Sequence, residues 1–171
     1  MRAASVVALT VTAAVLVRGQ GSIDTRLTTQ LRQLFPDAAS FSGRIGTPPH
    51  FEAYAAGADP PGHLLGVAFW TTDLDPLERG YDGPIKILVG LDLRGLIAGV
   101  IVADHHEPYG YFSVDPPAFA AQFKGKSVRD PFKVGDDVDA VSRATLTVTS
   151  ATRAIRNSAR RVATALIHPP D

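Results

Sequence analysis

Residues 85–102 constrain the fold more tightly than any other stretch of this chain. Ile85, Ile87, Val89 and Leu91 alternate, so they line one face of a strand with a period of two. Asp92-Leu93-Arg94-Gly95 then supplies turn residues, and 96–102 returns as an apolar strand. The stretch reads as a β-hairpin. Two strand-like runs precede it. Residues 50–56 end at the turn Gly57-Ala58-Asp59-Pro60-Pro61-Gly62, and residues 63–72 carry Val67, Phe69 and Trp70.

Helical patterns flank these strands. Ser22 is placed to cap a helix in which Ile23, Leu27, Leu31, Leu34 and Phe35 recur at helical spacing, with Pro36 just beyond. Residues 38–49, rich in Ser, Gly and Pro, read as a loop. After the hairpin, Asp115 is the expected N-cap of a short helix. Pro116 and Pro117 fall in its first turn, Phe119 and Phe123 on one side, and Gly125 is its stop. A long final helix is expected over 148–167, burying Ala151, Ile155, Val162, Ala165 and Leu166 and ending at His168-Pro169-Pro170. Its arginines, Arg153, Arg156, Arg160 and Arg161, read as a solvated face, with a docking surface for an acidic partner as the other reading. Strands followed by helices imply an α+β domain, with a mainly antiparallel sheet, flanking helices and a long C-terminal helix.

Composition narrows the chemistry. The 171 residues suit a single domain, and 45% of them are hydrophobic, enough for a core without disulfides or metals. Lys plus Arg and Asp plus Glu each total 17, so there is no cationic excess to neutralise a nucleic-acid backbone. Cysteine is absent. That excludes a thiolate-held iron–sulfur cluster, a covalent c-type haem, a redox CxxC pair and a thiol nucleophile. Any redox work must therefore fall to an organic cofactor.

The N-terminus begins Met1-Arg2, continues as an apolar run over 3–17 and meets a second charge at Arg18. This reads as an export signal over 1–21. The run is shorter than the roughly 20 residues of a spanning helix. An uncleaved anchor and an ordinary buried helix are the alternatives, because Val15-Leu16-Val17-Arg18 makes a poor cleavage site. A periplasmic location, or the outer face of the cytoplasmic membrane, is the expectation.

The stretch that carries chemistry is Asp139-Ala140-Val141-Ser142-Arg143-Ala144-Thr145-Leu146-Thr147, immediately before the final helix. Small hydroxylated residues there suit an anion, because the first helical turn has free N–H groups and a favourable dipole. Thr147 is expected as the N-cap, leaving the Thr145 hydroxyl free two residues upstream. On local physics alone, Ser142, Thr145 and Thr147 read more readily as turn and cap residues.

This segment resembles the D-x-x-[S/T]-G-A-T motif of the FMN-binding domains of RnfG, NqrC and NosR-type proteins. The likeness extends to Gly80-Tyr81-Asp82-Gly83-Pro84-Ile85, to Leu88-Val89-Gly90-Leu91-Asp92 and to His105-His106-Glu107-Pro108. Leu34-Phe35-Pro36-Asp37-Ala38 and Gly46-Thr47-Pro48-Pro49 add to it, so it spans roughly 31–167 and marks 22–171 as the flavin domain. The resemblance implies FMN joined by a phosphoester to Thr145. It also implies a separate flavin transferase, since a threonine hydroxyl is too weak an acid to attack a phosphoanhydride unaided. Ser142, Arg143, Ala144, Thr147, Asp139, Tyr81 and Glu107 are the further cofactor-binding candidates.

Two departures stand out. Arg143 occupies the position where the family usually has glycine. It could pair with phosphate, or obstruct the transferase or the tight backbone turn. The sequence also lacks the membrane helices and cysteine-rich segment of full NosR-type proteins, so electrons are expected to come from, and leave to, a membrane-bound partner protein. Neighbouring histidines on a strand face opposite ways, so His105 and His106 suit a structural or flavin-edge role better than a metal site. Tyr81 could approach the flavin, Gly80 and Gly83 indicate a special turn, and Phe69 and Trp70 read as core or as cover for the isoalloxazine. Three functions compete. One is an electron-transfer flavoprotein and another a flavin-binding sensor or assembly module. An enzyme with its own substrate has no visible acid, base and nucleophile to support it.

Overall fold

The computed structural model describes residues 24–167. The leader, Ser22, Ile23 and His168-Pro169-Pro170 lie outside the described residues.

The hairpin forms as its alternation predicts. Strands β4 (Lys86–Asp92) and β5 (Ile97–Asp104) pair antiparallel, with Val89 opposite Val100 and Leu88 opposite Ile101. Strands β1 (Ser40–Phe41), β2 (Phe51–Ala55) and β3 (His63–Trp70) extend the sheet in sequence order, β1-β2-β3-β4-β5, antiparallel throughout. The fold is α+β. Residues 38–49 are not wholly a loop, because β1 lies within them and Ile45 bridges to His50.

Both faces of this sheet are buried. Ile87, Val89 and Leu91 join Val67 and Phe69 in a large cluster with Val148, Ala151, Ile155, Ala159 and Val162 of the final helix. The intervening Leu88 points the other way, with Phe51, Ala53 and Ala68, onto Leu31 and Leu34 of helix α1 (Thr25–Leu34). Alternation on β4 thus sorts two cores rather than a core and a solvent face.

Caps differ from the sequence reading wherever a side chain has a stronger partner. Asp24 caps α1, its carboxylate accepting the Leu27 amide at 2.7 Å, two residues after the cap position expected from the sequence. The turn after β3 is a short helix, α2 (Thr71–Leu74), whose Thr71 hydroxyl donates to the Ile85 carbonyl and accepts the Ile87 amide. A further short helix, α3 (Gly110–Ser113), follows the hairpin unannounced by the sequence. Pro116 precedes α4 (Pro117–Ala121) without a side-chain cap, because the Asp115 carboxylate is bonded to His105 instead. Phe119 and Phe123 pack edge to face at 5.1 Å, and Gly125 stops the segment at φ +82°.

Helix α5 (Thr145–Val162) starts three residues earlier than expected and passes into a π-helical turn, Ala163–Ile167. The wider turn shifts the register, which leaves Ala165 exposed where an α-helical stripe would bury it. Its arginines are not merely a solvated face. Arg153 pairs with Glu78 at 2.8 Å, Arg160 donates to the Val128 and Asp130 carbonyls, and Arg161 donates to the Leu74 carbonyl. They strap the helix to the loops on either side. Among the described residues, no helix is long and apolar enough to cross a membrane.

Because each face has its own core, Ile155→Ala and Leu31→Ala should each destabilise the fold by about 2–5 kcal/mol. Leu93→Ser, at a half-exposed turn position, should change it by no more than about 0.5 kcal/mol. Urea denaturation of the three variants checks this; a cost confined to Ile155→Ala would mean that α1 contributes no core.

Candidate functional site

The N-terminal end of α5 is built by a tight turn. Arg143 adopts φ +68°, the left-handed conformation that costs a residue with a Cβ roughly 1–2 kcal/mol. The backbone therefore makes, with arginine, the turn for which glycine is better suited. The Ala144 amide closes it by donating to the Val141 carbonyl at 3.1 Å, and Ala144, buried, becomes the N-cap. Its methyl cannot accept a hydrogen bond, so no side chain caps the helix. Thr145 is the first helical residue and its side chain is exposed, as are Ser142, Arg143 and, at 51% exposure, Leu146.

Thr147 is not the cap. It lies inside the first turn, buried, and its hydroxyl donates to Glu107 Oε2. Glu107 is itself 6% exposed and accepts two more bonds, from the Tyr81 amide at 3.0 Å and the Asp82 amide at 2.9 Å. One carboxylate thus ties together the glycine turn, the H-H-E-P loop and the first turn of α5. Gly80 lies so close that a Cβ there would overlap the carboxylate, which is why glycine is required at that position. Gly83, at φ +135°, returns its carbonyl to the Gly80 amide at 2.7 Å. Burial pushes the Glu107 carboxyl up, but the Thr147 hydroxyl, the Asp82 and Tyr81 amides and the nearby His105 outweigh it and hold the group below its ordinary value.

The approach to the turn is pinned as well. Asp137 accepts from Lys126 Nζ and the Phe132 amide, each at 3.1 Å. Its burial is likewise outweighed, by the Lys133 amide, Lys126 and the Phe132 amide, and its carboxyl lies below the usual range. Asp139 follows with an exposed side chain, its amide bonded to Gln122 Oε1 at 2.7 Å.

The structure therefore gathers Thr145, Ser142, Arg143, Ala144 and Thr147 at one helix end and ties Glu107 and the Tyr81 backbone to it. Tyr81 keeps its ring 74% exposed. Asp139 is joined to the group through the chain alone. Phe69 is fully buried and belongs to the core, whereas Trp70 is half-buried under Lys86 Nζ, 4.6 Å from the ring centroid. His106 is exposed and His105 is not, and among the described residues no group of three or more His, Cys, Asp or Glu could hold a metal ion. Two features escaped the sequence reading. The Glu107–Thr147 bond spans 40 residues and leaves no local signal. The exposed Leu146, Tyr109 and Tyr111 had one: apolar residues directly beside polar motifs, outside any periodic stripe.

This arrangement suits an anion such as a phosphate group. The uncapped first turn offers amides and the positive end of an 18-residue helix to an anion, and the exposed Thr145 hydroxyl stands beside them.

Replacing Glu107 by glutamine should destabilise the protein by about 1.5–3 kcal/mol at pH 7, since a charged acceptor of three donors is lost. The folded carboxyl lies below its unfolded value, near 4.3. Its stabilisation is then complete above that value and disappears as pH falls through the folded one. The gap between wild type and Glu107→Gln, followed by denaturation against pH, should narrow below about pH 4; a gap independent of pH would refute the charge argument.

Residues 80–160 match the family profile described as FMN-binding domain. The Regulatory protein NosR of Pseudomonas aeruginosa is 32% identical over 112 residues, which is 60% of this chain and 16% of that protein. The G component of the ion-translocating oxidoreductase complex of Erwinia tasmaniensis is 32% identical over 125 residues, 67% of this chain and 54% of that one. The same component from Haemophilus influenzae is 45% identical over 49 residues, covering 29% and 22%. The chain thus spans from 16% to 54% of the length of these relatives. The matched segment holds the glycine turn, the hairpin, the Glu107 anchor and α5 as far as Arg160, and through this segment the chain is similar to the FMN-binding domain family.

Proposed function

We propose that this chain holds FMN through a phosphoester to Thr145 and relays electrons between partner proteins. The observation that carries the reading is the position of Thr145: exposed, first in α5, at a helix end that no side chain caps. When bound, the flavin supplies the redox chemistry, and the protein supplies attachment, orientation and tuning. The first-turn amides and the helix dipole stabilise the single negative charge left on a phosphodiester. Arg143, exposed one residue before the cap, adds a cation that can pair with it. Glu107 acts at one remove, keeping the Tyr81–Asp82 turn and the first helical turn in fixed relation. Ser142 and Leu146 border the attachment point.

Maturation on this reading needs a flavin transferase, and the N-terminal charge–apolar–charge pattern supports export, with the domain at the outer face of the cytoplasmic membrane. Similarity to a protein named as part of an ion-translocating oxidoreductase complex supports a membrane-bound redox partner. Similarity to a protein named as regulatory favours the second reading, a flavin-binding sensor or assembly module.

Made together with a flavin transferase, the wild type should show flavin fluorescence that survives a denaturing gel, with the added mass on the Thr145 peptide. Thr145→Ala should fold as the wild type does and lose the band. Thr147→Ala should lose about 1–3 kcal/mol of stability, because it leaves Glu107 short of a donor, yet keep the band. A band that persists in Thr145→Ala would show the assignment to be wrong. Purified holoprotein should exchange electrons with small mediators; rapid, saturable oxidation of one small metabolite would replace the carrier reading by an enzyme.

A further inference from the structure

We infer that His105 is the positioning residue of the flavin turn, acting as a neutral imidazole with its proton on Nε2. The inference rests on the reading that the turn around Thr145 is the flavin site, but its geometry is independent of it. His105 follows β5, with its side chain 13% exposed. Its Nδ1 lies 3.1 Å from the Glu107 amide, and its Nε2 lies 2.7 Å from Asp115 Oδ1. A backbone N–H can only donate, so Nδ1 must present its lone pair. A carboxylate can only accept, so Nε2 must carry the proton. Both ring nitrogens are thereby assigned by their partners.

The ring is clamped in that state. Gly110, the first residue of α3, packs so closely on it that a Cβ there would overlap Cε1. A continuous chain of bonds runs from Asp115 through the imidazole to the Glu107 amide. From the Glu107 carboxylate it continues to the Tyr81 and Asp82 amides and to Thr147 in the first turn of α5. A second proton, on Nδ1, would set N–H against N–H and release the Glu107 amide. Among the described residues, the ionisable groups that face the ring are Asp115, from the segment ahead of α4, and Glu107. Both are carboxylates, so the Glu107 amide at Nδ1 is the contact that a second proton on the ring would break. Acidification that places this second proton therefore loosens the flavin turn through Glu107. His106, exposed beside it, has no part in this chain and serves as the internal control.

The test uses the full chain, labelled with nitrogen-15 and free of flavin. At pH 8, the ring nitrogens of His105 should give the Nε2-protonated pattern. Between pH 8 and pH 5, the amide signals of Glu107, Tyr81, Asp82 and Thr147 should shift with the same midpoint as the His105 ring. In His105→Asn, the side-chain oxygen can still accept the amide two residues on but cannot titrate. The Tyr81 and Asp82 signals should then keep their alkaline positions down to pH 5, while His106→Asn should behave as the wild type. A proton on Nδ1 at pH 8, a ring that does not titrate above pH 5, or Tyr81 and Asp82 amides that stay still while His105 titrates would each overturn the inference. So would a shift that survives His105→Asn. If that variant does not fold, the wild-type tautomer and the shared midpoint decide alone. No readout needs flavin, so failure here leaves the Thr145 assignment standing, and failure of that assignment leaves these outcomes unchanged.

Discussion

The Glu107 carboxylate is the interaction on which the candidate site depends. A buried carboxylate without partners would be too costly to keep ionised, and this one has a hydroxyl and two amides drawn from segments 40 and about 26 residues away in sequence. Loops carry no ladder of their own to fix their relative positions. A single charged acceptor that needs all three donors at once fixes them here. The close approach of Gly80 shows how little slack is left around it.

Around that anchor the scaffold is rigid for a different reason. The central strands are buried on both faces, with α5 across one and α1 across the other, so neither face of the sheet is free to shift without opening a core. The arginines of α5 add directional ties to the Leu74, Val128 and Asp130 carbonyls and to Glu78, which lock its rotation and its advance along the axis. A helix held in this way presents its first turn at a set height above the sheet. On the proposed attachment, a group on Thr145 would inherit that placement.

Much of this was legible in the residues. The hairpin, the two strands before it, the helices that became α1, α4 and α5, the glycine stop at Gly125 and most of the buried stripe of α5 follow from periodicity and backbone preference, which act over a few residues. The caps were the weak point. Ser22, Asp115 and Thr147 all have good capping side chains. Yet Asp24 stands closer to the first turn of α1, Asp115 bonds to His105, and Thr147 bonds to Glu107. Capping contributes about 1 kcal/mol, so a partner elsewhere in the fold readily displaces it. The flavin motif, in turn, was readable as a set of spaced fragments, but not as a joined site.

What the chain's own sequence determined is therefore the α+β architecture, the lack of any thiol among its 171 residues, and the family profile that residues 80–160 match. The first two rest on local periodicity and composition, which short stretches report for themselves, and the third on spaced motifs along the chain. Only the tertiary structure decided that Thr145 opens the helix with its side chain exposed, that Arg143 takes the left-handed turn, and that Glu107 bonds to Thr147 and His105 to the Glu107 amide. Those outcomes depend on which donors and acceptors meet across tens of residues. That is settled by packing, and no short window of sequence encodes it.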